Sequence, residues 1–183
     1  MTELDLARKI AQGDAASAEA FVREHYPAVL RLAVRLTEQP EDAEDIAQDT
    51  FVVARQKIGS FRGGSTLRTW IHKIAFNEYR QWRRRRKPLP LLDSDYAVGD
   101  SAIGAFETGH ILMNAMRKLP DKQREVFVLF EVEQLSMNEV AHVLGVPAGT
   151  AKARVSYARQ NLRNQLEGNQ LVIKDEYRPS TPN

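Results

Sequence analysis

Five consecutive cationic side chains follow one indole in the stretch WRRRRK, residues 82–87. Guanidinium groups bind phosphate oxygens in bidentate geometry, and an aromatic ring can stack on an unpaired base. Residues 55–87 contain eleven lysines and arginines and a single acid, Glu78. Aromatic residues are interspersed among these cations: Trp70, Phe76 and Tyr79. The combination predicts a site for unpaired nucleic acid; a solvated helix end with aromatic residues in the core is the alternative.

The charge of the chain is arranged in blocks, since the net charge is only +2. Residues 38–49 contain six acids and no base, and residues 88–110 contain four acids and no base. An acidic helical face would repel DNA, so the first of these blocks predicts a docking surface for a basic protein partner. A charged face turned to solvent is the alternative.

The composition argues against several classes of protein. The chain has no cysteine, so disulfides and thiolate metal sites are excluded, and its four histidines have no spacing typical of a metal site. No apolar run approaches the roughly 20 residues that a membrane span needs. Charges alternate in the first residues, MTELDLARKIAQGD, which argues against a secretory signal. The sequence predicts a cytoplasmic protein without membrane insertion, metal or cofactor.

Apolar residues at spacings of three and four predict an all-α protein. Helices are expected over residues 16–37, 41–58 and 67–86. Pro27 should kink or divide the first of these helices. The glycine-containing segment 59–66 separates the second helix from the third.

Two small helical domains joined by a flexible acidic linker are predicted. The first domain spans residues 1–88. Residues 89–110 are interpreted as the linker, because they are acidic and rich in small residues and have no clean periodicity. The second domain spans residues 111–167, and a polar tail, residues 168–183, follows it.

The second domain has the pattern of a helix-turn-helix. Ser136 and Glu139 form a capping box, Gly145 suits the left-handed residue after a short helix, and a second helix is expected to begin at 148–150 and to run to Leu166. That second helix has no acid, and its outer face would enter the major groove with Lys152, Arg154, Ser156, Arg159 and Arg163. A plain helical hairpin with a solvated basic face is the alternative.

The segment between the second and third helices, residues 61–66, reads FRGGST. Its paired glycines let the backbone approach a ligand closely. Its hydroxyls and its guanidinium group could read the edge of an extruded base. The first domain is therefore interpreted as a binder of single strands.

Two long segments resemble a known family. The first is DAEDIAQDTFVVARQKIGSFRGGSTLRTWIHKIAFNEYRQWRRRR, and it resembles region two of bacterial sigma factors of the extracytoplasmic-function (ECF) group. The second is LPDKQREVFVLFEVEQLSMNEVAHVLGVPAGTAKARVSYARQNLR, and it resembles their region four. The resemblance covers roughly residues 15–166, and two motifs in this order are more specific than a lone helix-turn-helix.

The resemblance implies a non-enzymatic promoter-specificity subunit of bacterial RNA polymerase. Its partners would be the polymerase core, through the clamp helices of the largest catalytic subunit, promoter DNA and an anti-sigma factor. Core binding is assigned to Asp42, Glu44, Asp45, Gln48, Asp49 and Phe51. Melted DNA would be held by Phe61, Arg62, Gly63, Ser65, Thr66, Lys73, Asn77, Arg80, Trp82, Arg83 and Arg84. Duplex DNA would be contacted by Ser136, Gly149, Thr150, Lys152, Arg154, Ser156 and Arg159.

The chain departs from the family pattern at a few positions. Ala151 and Ala153 stand where the family often has valine and serine, Gln81 where it often has aspartate, and Gly64 where it often has a polar residue. These departures affect which promoter sequence is read rather than the class of protein.

Two other functions are compatible with parts of the sequence. A self-sufficient helix-turn-helix regulator would explain the second domain but leave the acidic and the aromatic-cationic helices without a role. A helical metal-dependent hydrolase would use the carboxylates of residues 41–49, but metal sites on helices draw ligands from several elements, and these acids follow one another on one helix.

Overall fold

A computed structural model describes residues 2–86 and 111–176, with side chains up to residue 167. The regular structure of these residues is helical, and they contain no strand. The predicted all-α class is therefore confirmed. The predicted linker, 89–110, and the end of the predicted tail, 177–183, lie outside the described residues.

The first unit is built from helices α1 to α4. They are α1 (Glu3–Ala11), α2 (Ala15–Thr37), α3 (Pro40–Lys57) and α4 (Leu67–Arg85), with a 3₁₀ turn, Ile58–Ser60, after α3. Helices α2, α3 and α4 pack on one another, and each contributes apolar side chains to a common core, such as Leu32, Ile46 and Ile71. The predicted apolar stripes therefore form the interior.

Two features of the first unit differ from the sequence prediction. Helix α1 was not predicted, although Thr2 and Asp5 form a capping box at its start. Pro27 does not divide α2, which is assigned as one helix from Ala15 to Thr37. A proline removes one backbone hydrogen bond from a helix. Here His25 and Val29, one on each side of Pro27, are buried, so packing holds the helix together across it.

The second unit contains helices α5 to α8. Residues 111–117 are helical and belong to α5. The others are α6 (Asp121–Phe127), a π-helical turn (Val128–Val132), α7 (Met137–Leu144) and α8 (Ala148–Glu176). The Ser136–Glu139 capping box is present, and Gly145 has a φ of 68°, as the helix-turn-helix pattern predicts.

Helix α8 is longer than the sequence indicated. It was expected to end near Leu166, but it continues to Glu176 and so includes the first nine residues of the predicted polar tail. The expected end was too early, because a helix that has already been nucleated gains one backbone hydrogen bond with each further residue.

Candidate functional site

Helix α3 presents an acidic face to solvent. Glu44, Asp45, Gln48 and Asp49 are all exposed. Their spacing places them on one side of the helix, and the opposite side is buried through residues such as Ala43, Ala47 and Thr50. The core thus fixes the orientation of this face. Val52, which is 56% exposed, follows Asp49 by three residues and adds an apolar side chain that sequence reasoning missed.

The structure separates two of the predicted core-binding residues from this face. Phe51 is partly buried between Phe21 and Tyr26, with ring centroids at 6.0 and 5.8 Å. Asp42 is turned toward the end of α4 and accepts a hydrogen bond from the Trp82 indole. Neither residue therefore belongs to the exposed acidic face.

A groove of about 350 Å³ lies between α3 and α4. It is lined by Val53, Lys57, Ile74, Asn77, Glu78, Arg80, Gln81 and Arg84. Three of the residues predicted to hold melted DNA, Asn77, Arg80 and Arg84, therefore share one concave surface. Lys57 is a further cation that the prediction omitted, because it lies on the neighbouring helix and only the packing of α3 on α4 brings it here.

Three other residues of the predicted single-strand site lie elsewhere. Lys73 Nζ lies 3.3 Å from His142 Nε2 of the second unit. Arg83 Nη1 forms ion pairs with Glu125 and Asp121, at 2.8 and 3.4 Å. The Trp82 indole donates a hydrogen bond to Asp42 near the start of α3 and does not line the groove.

The aromatic residues of α4 are mostly unavailable to bases. Phe76 and Tyr79 are each 1% exposed, so they belong to the core rather than to a stacking surface. Phe61, in the preceding loop, is 6% exposed and packs edge-on against Trp70, with ring centroids at 5.8 Å. These rings were predicted as possible stacking partners for bases, but they are buried in the hydrophobic core.

The rest of the loop is at the surface. Arg62 is exposed and donates a hydrogen bond from Nη1 to the Gly59 carbonyl at 2.9 Å. Gly63 has a φ of 74°, and a Cβ there would lie 3.3 Å from the side chain of Leu4, so glycine is required at this turn. Ser65 is partly exposed, and Thr66 caps α4 by accepting the Thr69 N–H at 3.1 Å.

The cationic side chains of α8 divide between two sides of the helix. Lys152, Ser156, Arg159 and Arg163 line a groove of about 730 Å³ together with Phe130, Met137, Val155 and Gln160. Arg159 also forms an ion pair with Glu131 and lies 5.5 Å from the Phe130 ring centroid. Arg154 is about 200° around the helix from Lys152, so it lies on the other side.

The start of α8 is open to solvent. Gly149 is exposed and Thr150 is partly exposed. Ser136 is also exposed, and its hydroxyl is bonded to Glu139 within the capping box. Tyr157 is 60% exposed on the outer side of α8 and is not among the predicted duplex contacts.

Two family models match the chain. Sigma-70 region 2 matches residues 21–88, and Sigma-70 region 4 matches residues 109–162. The ECF RNA polymerase sigma factor SigW of Bacillus subtilis is 30% identical to the chain over 175 residues, which cover 87% of this chain and 94% of the relative. The chain belongs to the ECF sigma factors. Sigma factors are promoter-specificity subunits of RNA polymerase and not enzymes, so the predicted class is confirmed.

Other similar proteins support the same assignment. RNA polymerase sigma-H factor of Pseudomonas aeruginosa is 29% identical over 88% of this sigma factor and 92% of the relative. The solved structure of CnrH in complex with the cytosolic domain of CnrY has a TM-score of 0.72 and 26% identity, covering 91% of this chain and 97% of CnrH. The sigma factor RpoE of Bartonella quintana, solved with the anti-sigma factor NepR, has a TM-score of 0.64 and 28% identity. The match covers 81% of this chain and 96% of RpoE.

Two features are absent from the part of the chain that the structure describes. Across residues 2–86 and 111–176, no three histidine, aspartate or glutamate side chains come together as metal ligands would. In the same residues, no helix combines the length and the apolar character that a membrane crossing requires.

A buried carboxylate joins the two units of this sigma factor. Glu133 is fully buried, and it accepts two hydrogen bonds from Arg31 of α2, at 3.0 and 3.1 Å. His72 Nε2 of α4 lies 3.3 Å from the same carboxylate, and Arg68 donates to the Glu133 backbone carbonyl. The π-helical turn before Glu133 and the left-handed backbone of Gln134, with a φ of 53°, direct this acid into the first unit.

We expect acid to weaken the fold through Glu133. Burial raises the pKa of this carboxyl, but the hydrogen bonds to His72 and Arg31 and the positive charge of Arg31 outweigh burial, so its pKa lies below the ordinary value of 4.5. A lowered folded-state pKa contributes stability that is present above the unfolded-state pKa and is lost as pH falls through the folded-state pKa. Urea unfolding midpoints should therefore fall as the pH drops below the ordinary carboxyl value of 4.5, and less steeply in Glu133→Gln. Equal pH slopes in both proteins would contradict this role for Glu133.

Proposed function

We propose that this sigma factor directs RNA polymerase to a dedicated promoter set in two steps of DNA binding. The second unit, residues 111–167, reads an upstream promoter element as duplex, and the first unit, residues 1–88, captures the melted strand. Residues 89–110 would link the units, and no role is assigned to the tail, 168–183. The observation that supports this division most strongly is that the exposed acidic face of α3 and the cationic groove between α3 and α4 are separate surfaces of the first unit.

The acidic face is proposed as the dock for the polymerase core. Glu44, Asp45, Gln48 and Asp49 share one exposed side of α3 and would meet the clamp helices of the largest catalytic subunit. Complementary charge speeds encounter and disfavours wrong partners. Val52, which is 56% exposed at the edge of this face, would add an apolar contact to the polymerase core.

The groove between α3 and α4 is proposed as the site of the melted strand. Lys57, Arg80 and Arg84 line it and would contact phosphates, which position a strand without reading its sequence. Asn77 would supply hydrogen bonds to a base edge, because its amide both donates and accepts. The exposed Arg62 and Thr66 at the start of α4 extend the same role into the loop.

Helix α8 is proposed to lie in the major groove of the upstream element. Gly149 and Thr150 at its start allow close approach, and Lys152, Ser156 and Arg159 lie along one side of it. The exposed start of α7 at Ser136 would contact the phosphate backbone, since a helix N-terminus attracts anions. Arg154, on the other side of α8, would reach a different strand or base pair from Lys152.

An anti-sigma factor is proposed as a further partner. The RpoE relative was solved with the anti-sigma factor NepR, and CnrH was solved with the cytosolic domain of CnrY. The sigma factor would act in the cytoplasm, where the polymerase works.

Run-off transcription tests the proposed function. Purified core polymerase would be supplied with a library of promoter fragments, with and without the full chain. We expect initiation at a discrete set of fragments only when the chain is present. An unchanged set of transcripts would overturn the proposal, and specific duplex binding without the core would favour the self-sufficient regulator instead.

Removing the groove cations should weaken strand capture. We expect Arg80→Ala with Arg84→Ala to lower the affinity of the holoenzyme for promoter DNA with a pre-opened bubble by about tenfold, because two phosphate contacts are lost. The slope of log affinity against log salt should fall by about 0.7 for each arginine. Titration of a fluorescent bubble fragment at several salt concentrations measures both quantities.

The matched control removes two exposed cations that do not line the groove. Arg8 lies on α1 and Arg23 lies on α2, and both are exposed. Arg8→Ala with Arg23→Ala changes the net charge by the same amount. An equal loss of affinity in this control would show that the effect is one of overall charge, and the groove would not be the site.

A further inference from the structure

We propose that Asp42 is a positioning residue that fixes the end of α4 against the start of α3, and that it is not a contact of the polymerase core. In this role it sets which arginines of the run at 83–86 face the groove. The inference rests on the proposed function for its effect on DNA, but the contact itself concerns the free chain. It also replaces the role that family resemblance assigned to this acid.

The carboxylate of Asp42 has two partners from α4. Its Oδ1 accepts a hydrogen bond from Trp82 Nε1 at 3.1 Å, and its Oδ2 lies 2.8 Å from Arg86 Nη2. The guanidinium of Arg86 in turn lies 4.9 Å from the centroid of the Trp82 ring. Carboxylate, indole and guanidinium therefore contact one another, and we call this group the Asp42 clamp. The side chain of Asp42 is only 18% exposed, in contrast to its exposed neighbours Glu44 and Asp45.

The clamp is anchored to the core. The Trp82 ring stacks on Tyr79, with centroids 5.9 Å apart and an interplanar angle of 28°, and Tyr79 is 1% exposed. Arg86 is the C-cap residue that directly follows α4, and its N–H donates to the Trp82 carbonyl at 3.1 Å. A helix end without such partners frays, and the cations of Arg83 and Arg86, three residues apart, repel each other. The clamp therefore holds the last turn of α4 in helical form.

The Asp42 clamp affects which arginines of the run at 83–86 can contact DNA. Arg86 is paired with Asp42, and Arg83 is paired with Glu125 and Asp121 of the second unit. Arg84 is about 200° around the helix from Arg86, so fixing Arg86 toward α3 turns Arg84 toward the groove. Arg80 lies one turn earlier on the same side. Three of the four consecutive arginines, Arg83, Arg84 and Arg86, therefore have different surroundings, which the sequence alone could not show.

Trp82 provides a direct spectroscopic test of the clamp. The chain has two tryptophans, so a Trp70→Phe background leaves Trp82 as the only indole emitter. In that background we expect Asp42→Ala to shift the emission of Trp82 to longer wavelength and to increase its quenching by iodide, because the indole loses its partner. Asp42→Asn keeps an acceptor for the indole but loses the charge opposite Arg86, so its emission should be close to that of the parent. Asp45→Ala on the acidic face is the matched control and should leave the emission unchanged.

Binding measurements on the full chain separate the clamp from core docking. We expect Asp42→Ala to keep its affinity for core polymerase within about twofold and to lower the affinity for bubble DNA by about fivefold, with partial recovery in Asp42→Asn. Asp45→Ala should instead lower the affinity for core polymerase and leave the affinity for bubble DNA nearly unchanged. Arg86→Ala combined with Asp42→Ala should be no worse than either change alone, because residues that act as one unit are not additive.

The inference would be overturned by either of two results. One is an unchanged Trp82 emission in Asp42→Ala, which would mean that the indole does not depend on this acid. The other is a loss of core affinity in Asp42→Ala as large as that in Asp45→Ala, which would make Asp42 a polymerase contact. If the parent chain did not bind core at all, the proposed function would fail, and the emission of Trp82 would still decide whether the clamp exists.

Discussion

Replacing Asp45 and Asp49 with arginine is expected to abolish binding of the sigma factor to core polymerase, with an affinity loss of at least about 100-fold. Both carboxylates are exposed on one side of α3, above a helix face that is fully buried. Each charge reversal replaces an attraction between sigma factor and core polymerase with a repulsion. Close charge pairs at interfaces couple by about 1.5–7 kcal/mol. Competition of labelled parent against unlabelled variant for purified core measures the change.

The control for this experiment changes the net charge by the same amount at another exposed place. Glu19 and Glu24 are exposed acids on α2, so Glu19→Arg with Glu24→Arg adds four positive charge units as well. This variant should bind core within about threefold of the parent, since surface charges distant from an interface act mainly on the rate of encounter. If both double variants lost core binding equally, α3 would not be the dock.

Glu133→Ala should destabilise the fold by about 3–5 kcal/mol, the largest effect that we expect from a single side chain outside the apolar core. Glu133 is 0% exposed and is paired with Arg31 and His72. Removal of the acid leaves the buried His72 ring without its partner, and the guanidinium of Arg31, whose side chain is 44% exposed, without its counter-charge. It also removes a tie between α2, α4 and the π-helical turn. Urea unfolding followed by circular dichroism measures the change.

Glu131 supplies the control, because it lies two residues away and forms an ion pair at the surface with Arg159. Glu131→Ala should cost at most about 1 kcal/mol, as surface ion pairs do. Glu133→Gln keeps oxygen and nitrogen atoms in place and should fall between the two. A loss of less than about 1 kcal/mol in Glu133→Ala would mean that the contacts of Glu133 do not hold the two units together.

Local signals in the sequence were enough to predict most helices. The apolar spacing of α3 predicted both its buried side and its exposed acidic side, because a single helix determines which residues share a face. The capping box at Ser136 and the glycine at 145 predicted the helix-turn-helix for the same reason. The start of α1 has an equally clear capping box at Thr2, and Leu4, Ala7 and Ile10 follow the helical spacing, so this helix was predictable from local signals as well.

Features that depend on pairs of distant residues could not be predicted from the sequence. Asp42 and Trp82 are forty residues apart, and nothing local shows that one accepts a hydrogen bond from the other. Arg31 and Glu133 are 102 residues apart and come from different units. The aromatic residues of α4 were interpreted as a possible stacking surface because their type suits both uses; only burial assigns Phe76 to the core.

We propose that this sigma factor opens promoter DNA only as part of the holoenzyme. The most direct measurement is the fluorescence of 2-aminopurine placed in the non-template strand of a promoter selected by run-off transcription, because emission rises when the base unstacks. We predict a rise when core polymerase and the full chain are both present, and none with either alone. A rise with core alone, or specific binding of the same duplex by the free chain without any rise in the presence of core, would contradict the account.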